Sequence, residues 1–253
     1  MRIDLNSDIG ESYGAWPMGD DAAMLEIVTS ANVACGWHGG DPMVMHTTAT
    51  VAKANGVAIG AHPSFNDRDG FGRRVIRGDS MADIEKMVAY QIGALQAIAT
   101  MAGHRVTHVK PHGSLGNLCN EEDDFALAIG RAIKAVDANL VYVTMPGRNS
   151  QMAADRLGLA SAREFFADRT YDDNGQLTSR KKEGAVIHDA VFAADRVLKT
   201  LSDKAITTVT GRRIPVEIDT ICVHGDTPAA VSMARAVRQK LVAAGYALKP
   251  FVA

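Results

Sequence analysis

Cysteine is scarce in this chain of 253 residues: Cys35, Cys119 and Cys222. No C-x-x-C pair occurs, which argues against a zinc ribbon or a thioredoxin-type site. Three cysteines in no paired pattern fit a reducing compartment. No apolar run approaches the roughly 18 residues of a membrane span. Met1-Arg2-Ile3-Asp4 opens without an apolar signal region, so the expected setting is a soluble protein of the cytoplasm. Charge of one sign is also lacking. Lys plus Arg total 27 and Asp plus Glu 29, a balance of −2, without the basic excess of a nucleic-acid binder. The densest basic run, Arg180-Lys181-Lys182 beside Glu183, reads as a solvated loop.

The usual catalytic signatures are missing too. There is no G-x-x-x-x-G-K-[ST] loop for a nucleotide phosphate. Gly70-Phe71-Gly72 begins like a dinucleotide fingerprint, but Val75 stands at the third glycine position. No G-x-S-x-G elbow supports a serine hydrolase. Cys35 lies near His38, yet burial at a strand end is the simpler account of that thiol.

What is present is alternation. Short apolar runs at Ile3–Asn6, Asn32–Gly36, Val57–His62, Val106–Lys110, Leu140–Thr144, Arg163–Ala167 and Thr220–His224 read as strands. Their nearly continuous apolar character is that of parallel strands buried on both faces. Helical patterns separate them. Asp41-Pro42 is a start signal and Asn55-Gly56 a stop. Ser80 and Asp83 form a capping pattern before the stripe Ile84, Met87, Val88, Leu95, Ile98, which ends at Gly103. Phe125, Ile129, Ile133 and Val136 mark another helix, and Thr227-Pro228 opens the last, which runs to Gly245. The expectation is one α/β domain over residues 1–253, a seven-stranded β/α barrel. An open doubly wound sheet is the alternative.

Polar residues gather after the apolar runs: Asn6 and Asp8, His38, His62, Lys110 and His112, Asp168 and Arg169, His224 and Asp226. In a parallel α/β fold the C-terminal strand ends face one shared site. Any one histidine at such a place can be structural, and His46, His104, His108 and His188 read as structural groups in helical or flanking positions. Four strand-end imidazoles together, with carboxylates, point to acid, base or metal-ligand chemistry.

The strings that carry these residues resemble the LamB/YcsF family. They are Asp4-Leu5-Asn6-Ser7-Asp8-Ile9-Gly10-Glu11, the run from Thr29 to His38, Gly40-Asp41-Pro42, and Ile59-Gly60-Ala61-His62-Pro63. Gly70-Phe71-Gly72-Arg73-Arg74, His108-Val109-Lys110-Pro111-His112-Gly113, Phe166-Ala167-Asp168-Arg169 and the run from Asp219 to Pro228 complete the set, in family order across nearly the whole chain. The resemblance implies a barrel similar to that of glycoside hydrolases and carbohydrate deacetylases. It implies the A component of an ATP-dependent 5-oxoprolinase, which cleaves 5-oxoproline (pyroglutamate) to L-glutamate with partner subunits B and C. ATP then enters as co-substrate of the complex. Ser7, Ser114 and Gly116 depart from the residues common at those places in the family.

On this reading Asp8 is the candidate general base, oriented by His62 or His112, and Lys110 faces the developing negative charge. Asn6, Asn32, His38, Arg73, Arg169, His224 and Asp226 are the candidate substrate-binding residues, with Arg73 or Arg169 forking the substrate carboxylate. A divalent metal on Asp8, His62 and His112 would instead suit a deacetylase-like hydrolase of a carbohydrate amide. A sugar- or amide-binding module is the non-enzymatic alternative.

Overall fold

The computed structural model describes residues 1–225 and 229–252. Seven parallel strands close into a barrel: β1 (Arg2–Ile9), β2 (Ser30–Ala34), β3 (Ala58–His62), β4 (Val106–Val109), β5 (Val141–Thr144), β6 (Ser161–Phe166) and β9 (Thr220–Cys222). Each pairs with the next, and β9 returns to β1 through the register Asp4↔Thr220 to Asn6↔Cys222. The helices are α1 (Asp21–Leu25), α2 (Pro42–Ala54), α3 (Met81–Met101), α4 (Gly113–Glu121), α5 (Asp123–Val136), α6 (Asn149–Leu157), α7 (Ala190–Asp203) and α8 (Ala230–Ala243). The short β7 (Ala205–Thr207) and β8 (Arg213–Pro215) form an antiparallel pair, and β10 (Ala247–Leu248) pairs with the first residues of β1. The seven barrel strands are those read from the sequence, within a few residues. Strands β7, β8 and β10 were not anticipated, because two or three residues give no periodicity to read.

The helix signals work as read. Asp41 caps α2 by accepting from Met43 and Val44 N–H, with Pro42 at the first position. Ser80 caps α3 by accepting from Asp83 N–H. The start expected for the last helix, Thr227-Pro228, lies outside the described residues. Helices α1, α4, α6 and α7 were missed in the sequence.

The reading of strands apolar on both faces needs correction. Leu5, Ile9, Ala31, Val33, Ile59, Ala61, Val109, Phe165 and Ile221 alternate outward into the buried layer under the helices. The other parity faces the lumen and is largely polar: Asp4, Asn6 and Asp8 on β1, Ser30 and Asn32 on β2, Glu164 on β6, Thr220 on β9. The first strand therefore runs on to Ile9 rather than ending at Asn6, and Asn6 and Asp8 lie within it. Each of these lumen groups finds a partner. Thr220 Oγ donates to Asp4 and accepts from Asn6 Nδ2, which also donates to Glu164 at 3.1 Å. Asn32 Nδ2 donates to Asn6 Oδ1 at 2.8 Å and Asp8 Oδ1 at 2.9 Å. Paired in this way, the groups escape the cost of a buried unsatisfied polar atom, about 1–3 kcal/mol each.

His108, read as a flanking residue, sits fully buried in the lumen on β4 and donates Nε2–H to Asn32 Oδ1 at 3.0 Å. The glycine opposite makes room: a Cβ on Gly60 would stand 2.1 Å from the His108 ring.

Candidate active site at the barrel mouth

The C-terminal ends of the strands open into a cleft of about 470 Å³. Asp8, His62, Lys110, His112 and His224 line it, with Arg73 and Arg169 on its walls. These groups come from several turns of the barrel. His62 closes β3, Lys110 and His112 follow β4, Arg169 follows β6 and His224 follows β9. His112 is the N-cap residue of α4 and fixes its ring on the Phe71 carbonyl rather than capping the helix.

Asp8 is the hub. Its Oδ1 takes the Lys110 ammonium at 2.8 Å, and its Oδ2 faces His62 Nε2 at 3.3 Å and His224 Nε2 at 3.8 Å. Burial pushes its pKa up, but His62 and Lys110 outweigh that and hold the carboxyl well below the usual range. Asp8 is a fixed anion here, and a weak base. Lys110 also meets Glu164 at 2.9 Å and Cys222 Sγ at 3.1 Å. Burial works against its charge, but Asp8 leads the neighbours that keep it an ammonium. The Cys222 thiol is driven well up by burial and stays neutral.

A second knot lies beside the hub. His62 Nδ1 donates to the Lys110 carbonyl at 2.5 Å, which turns Nε2 toward Asp8 and toward His112 Nδ1 at 3.0 Å. His112 Nε2 donates to the Phe71 carbonyl at 2.8 Å, and burial, followed by the nearness of the His38 imidazole, pushes its pKa well below the usual range and favours the neutral ring. Its Nδ1 is therefore a lone pair aimed at His62 Nε2. Something positive belongs between these nitrogens, either a proton on His62 or a metal ion. Glu11 Oε1 stands 3.6 Å from His112 Nδ1 and 3.0 Å from His38 Nε2. The His38 ring stacks on His112 with centroids 3.7 Å apart, and burial, then His62, keeps it neutral as well. The donor atoms of Glu11, His38, His62 and His112 all fall within 4.8 Å of one another.

The third feature is a carboxylate–imidazole pair. His224 Nδ1 donates to Asp168 Oδ2 at 2.7 Å, so Nε2 faces Asp8 and the cleft. Burial opposes its proton, but Asp168 overrides that and raises the His224 pKa. His224 is an oriented imidazole whose protonated form Asp168 favours, placed to donate into the cleft.

The remaining sequence candidates separate by depth. His38 is packed behind His112 and is not among the cleft-lining residues. Asn6 and Asn32 lie below the cleft, with their amide groups engaged in the lumen network. Arg169 lines the cleft while tying down the 168–187 excursion through the carbonyls of Thr178 at 2.6 Å and Ala185 at 3.2 Å. Asp226 lies outside the described residues. Arg180 and Lys181, read as solvated loop, are exposed but belong to the cleft wall. Glu11 and Glu164 were not singled out in the sequence. Glu164 was hidden in an apolar run, where only its inward parity marks it.

The model of the LamB/YcsF family matches residues 3–253. The chain is 57% identical over 251 residues to the A component of 5-oxoprolinase from Rhodopseudomonas palustris (strain BisB5), covering 99% of each. It is 53% identical to the protein of that name from Nitrobacter hamburgensis, over 99% of this chain and 98% of the relative. Among solved structures, the lactam utilization protein of Thermus thermophilus superposes with a TM-score of 0.92 at 41% identity, covering 98% of this chain and 99% of that one. With a match spanning the barrel and every residue of its mouth described above, this chain belongs to the LamB/YcsF family.

Proposed function

We propose that this chain is the A component of an ATP-dependent 5-oxoprolinase, a cyclic-amide hydrolase of the cytoplasm that works in a complex with two further subunits, B and C. The observation that carries the reading is the placement of a raised-pKa imidazole, His224, beside a fixed anion–cation pair, Asp8 and Lys110, in one cleft. The relatives' names supply the substrate class. No described helix is long and apolar enough to cross a membrane, and the three cysteines are free and buried.

A five-membered lactam resists water because its amide is resonance-stabilised. Transfer of the ATP γ-phosphoryl group to the lactam oxygen, assigned to the partner subunits, yields an imidate phosphate and ADP. This chain then opens the ring. Water adds to C5, and the proton it gives up as the adduct collapses returns to His224 once that imidazole has protonated the ring nitrogen. His224 delivers a proton to the ring nitrogen, so that the C–N bond breaks in preference to the C–O bond to phosphate. The product is an acyl phosphate, and a second water releases glutamate and inorganic phosphate. Lys110 faces the charge that develops on oxygen, where a fixed cation in a buried site lowers the barrier. Asp8 holds Lys110 and orients the attacking water together with His62. Its low pKa suits that work better than a proton-accepting role.

The second knot fits a divalent metal. Metal–ligand bonds of about 2.0–2.1 Å set donor atoms roughly 3.3 Å apart around a tetrahedral ion. Here His62 Nε2–His112 Nδ1 is 3.0 Å, His38 Nε2–Glu11 Oε1 is 3.0 Å and His112 Nδ1–Glu11 Oε1 is 3.6 Å. Glu11, His38, His62 and His112, whose donor atoms all fall within 4.8 Å of one another, would hold the ion, which would supply Lewis-acid chemistry beside the hub.

The test is glutamate release from 5-oxoproline by the purified chain, with and without ATP and the two partner subunits. The chain alone is expected to be nearly inactive and the reconstituted set active. ATP-dependent turnover by the lone chain would overturn the division of labour, and metal analysis of the purified chain decides the ion.

A further inference from the structure

The cleft has a second wall that the ring-opening chemistry leaves unused. Arg73 arrives on the β3–α3 excursion, and Arg169, Arg180 and Lys181 on the β6–α7 excursion. The guanidiniums feel one another. Burial and then Arg180 bring Arg169 down to about 10, with Arg73 adding to the effect. Asp168 feels Arg169 and Arg180 alongside His224. Folding thus brings three guanidiniums from two separate segments to one wall, where a multiply charged anion can bridge them.

A single carboxylate is satisfied by one guanidinium fork. Three guanidiniums and an ammonium exceed that need. They match a group with several terminal oxygens and a double negative charge. The neutral lining offers the same kind of group. Gln176 is buried on this wall, and its Nε2 has no hydrogen-bond partner among the described residues. A buried donor left without a hydrogen bond is destabilising, and a ligand oxygen would satisfy it. Thr178 and Ser179 line the wall beside it.

We infer that the wall formed by Arg73, Arg169, Gln176, Arg180 and Lys181 is a phosphate subsite, and that it receives the phosphoryl group of an O-phosphorylated lactam. The inference rests on the ring-opening reading and deepens it: the species entering this barrel is the activated substrate, handed over already phosphorylated. Phosphate held here would also stay attached while the C–N bond breaks, which favours the acyl-phosphate route over futile loss of phosphate.

Phosphoenolpyruvate is a stable probe, since it carries a carboxylate and a phosphate ester on a trigonal carbon. Calorimetric titration of the purified full chain is expected to show it binding. Arg73→Ala and Arg180→Ala change exposed side chains and should keep the melting temperature. Each is expected to weaken the probe about tenfold or more. Gln176→Leu, which removes only the neutral donor, should weaken it less. Inorganic phosphate should compete, and free 5-oxoproline should not depend on Arg180. Absence of binding by both phosphate-bearing probes, or equal binding by the arginine variants, would overturn the subsite. A non-hydrolysable ATP analogue that displaces the probe and binds more tightly would reassign the wall to nucleotide and overturn the hand-over. The reconstituted glutamate-release assay reports the ring-opening reading separately, because it can fail while phosphate binding persists.

Discussion

Two carboxylates on one strand, Asp4 and Asp8, face the same lumen four residues apart. Both are nearly inaccessible, and their electrostatics are opposite. Asp4 is surrounded by hydroxyls: Thr29 Oγ at 2.6 Å, Ser30 Oγ at 2.7 Å, and Thr220. Burial wins there, and the pKa rises to about 6. Asp8 meets Lys110, His62 and His224, and its pKa falls far below the usual range. Hydroxyl dipoles only partly repay the desolvation of a carboxylate, whereas the Lys110 ammonium at 2.8 Å and the facing imidazoles reverse it. The floor of the barrel is therefore a filled, inert layer and the mouth a poised one, although both are built from the same residue type. Residue identity at a lumen position tells little until the partners are known.

The comparison breaks most visibly at Asp8. Asp8→Asn keeps the shape and the hydrogen bond from Asn32 but removes the charge that Lys110 and His62 face. Lys110 keeps Glu164, so the fold should survive at a cost of about 2 kcal/mol. Glutamate release by the reconstituted complex should fall about 100-fold or more. Near-normal release from a folded variant would place Asp8 with Asp4, as a structural group only.

His224 sharpens the contrast next. His224→Gln retains a polar side chain without the titrating proton, and turnover should drop roughly 10- to 100-fold. The pH profile gives the sign. A donor with a raised pKa is loaded below that pKa, so wild-type turnover should decline on the alkaline side and the variant should lack that limb. Asp168→Asn removes the main cause of the raised pKa and should move the limb to lower pH. An unmoved limb would mean that another group carries the proton.

The barrel and most of the mouth were legible in the sequence. Buried parallel strands leave short apolar runs, and the polar residues that follow them, such as His62, Lys110 and His224, stand out against that background. What stayed hidden was direction. Glu164 and His108 sit inside strands, where alternation decides whether a side chain enters the lumen, and a short run with one polar member does not reveal its parity. Glu11 appeared only as a letter in a motif, since its pairing with His38 is set by a turn in space. The lumen network spans Asn6 and Glu164, 158 residues apart, and no local pattern encodes such a pair. Arg180 misled for the opposite reason. Its run is exposed, as read, but the excursion carrying it folds over the cleft.

The smallest effect on turnover is expected at the floor, and it is the sharpest test of the comparison. Asp4→Asn imitates the protonated carboxyl, with one acceptor oxygen and a donor that the surrounding hydroxyls can accommodate. Because Asp4 lies below the cleft-lining residues, turnover should stay within about twofold, since its partners are hydroxyls rather than reacting groups. Stability should behave differently. The folded pKa is about 6 against 3.8 for the free carboxyl, so the folded chain holds this proton more tightly than the unfolded chain. The stabilisation from that proton is complete below pH 3.8 and is lost as pH rises through 6. At about 1.4 kcal/mol per pH unit, the loss reaches on the order of 3 kcal/mol above pH 6. Asn has no proton to lose. The variant should therefore match wild type near pH 4 and exceed it by up to that amount at pH 7, with the gap opening between the two values. Subtracting the two stability curves cancels the titrating groups that do not interact with Asp4, including Asp8 and Asp168, whose lowered pKa values act in the opposite direction. A flat difference across this window would mean that the hydroxyls around Asp4 stabilise its anion fully, and the floor would then resemble the mouth.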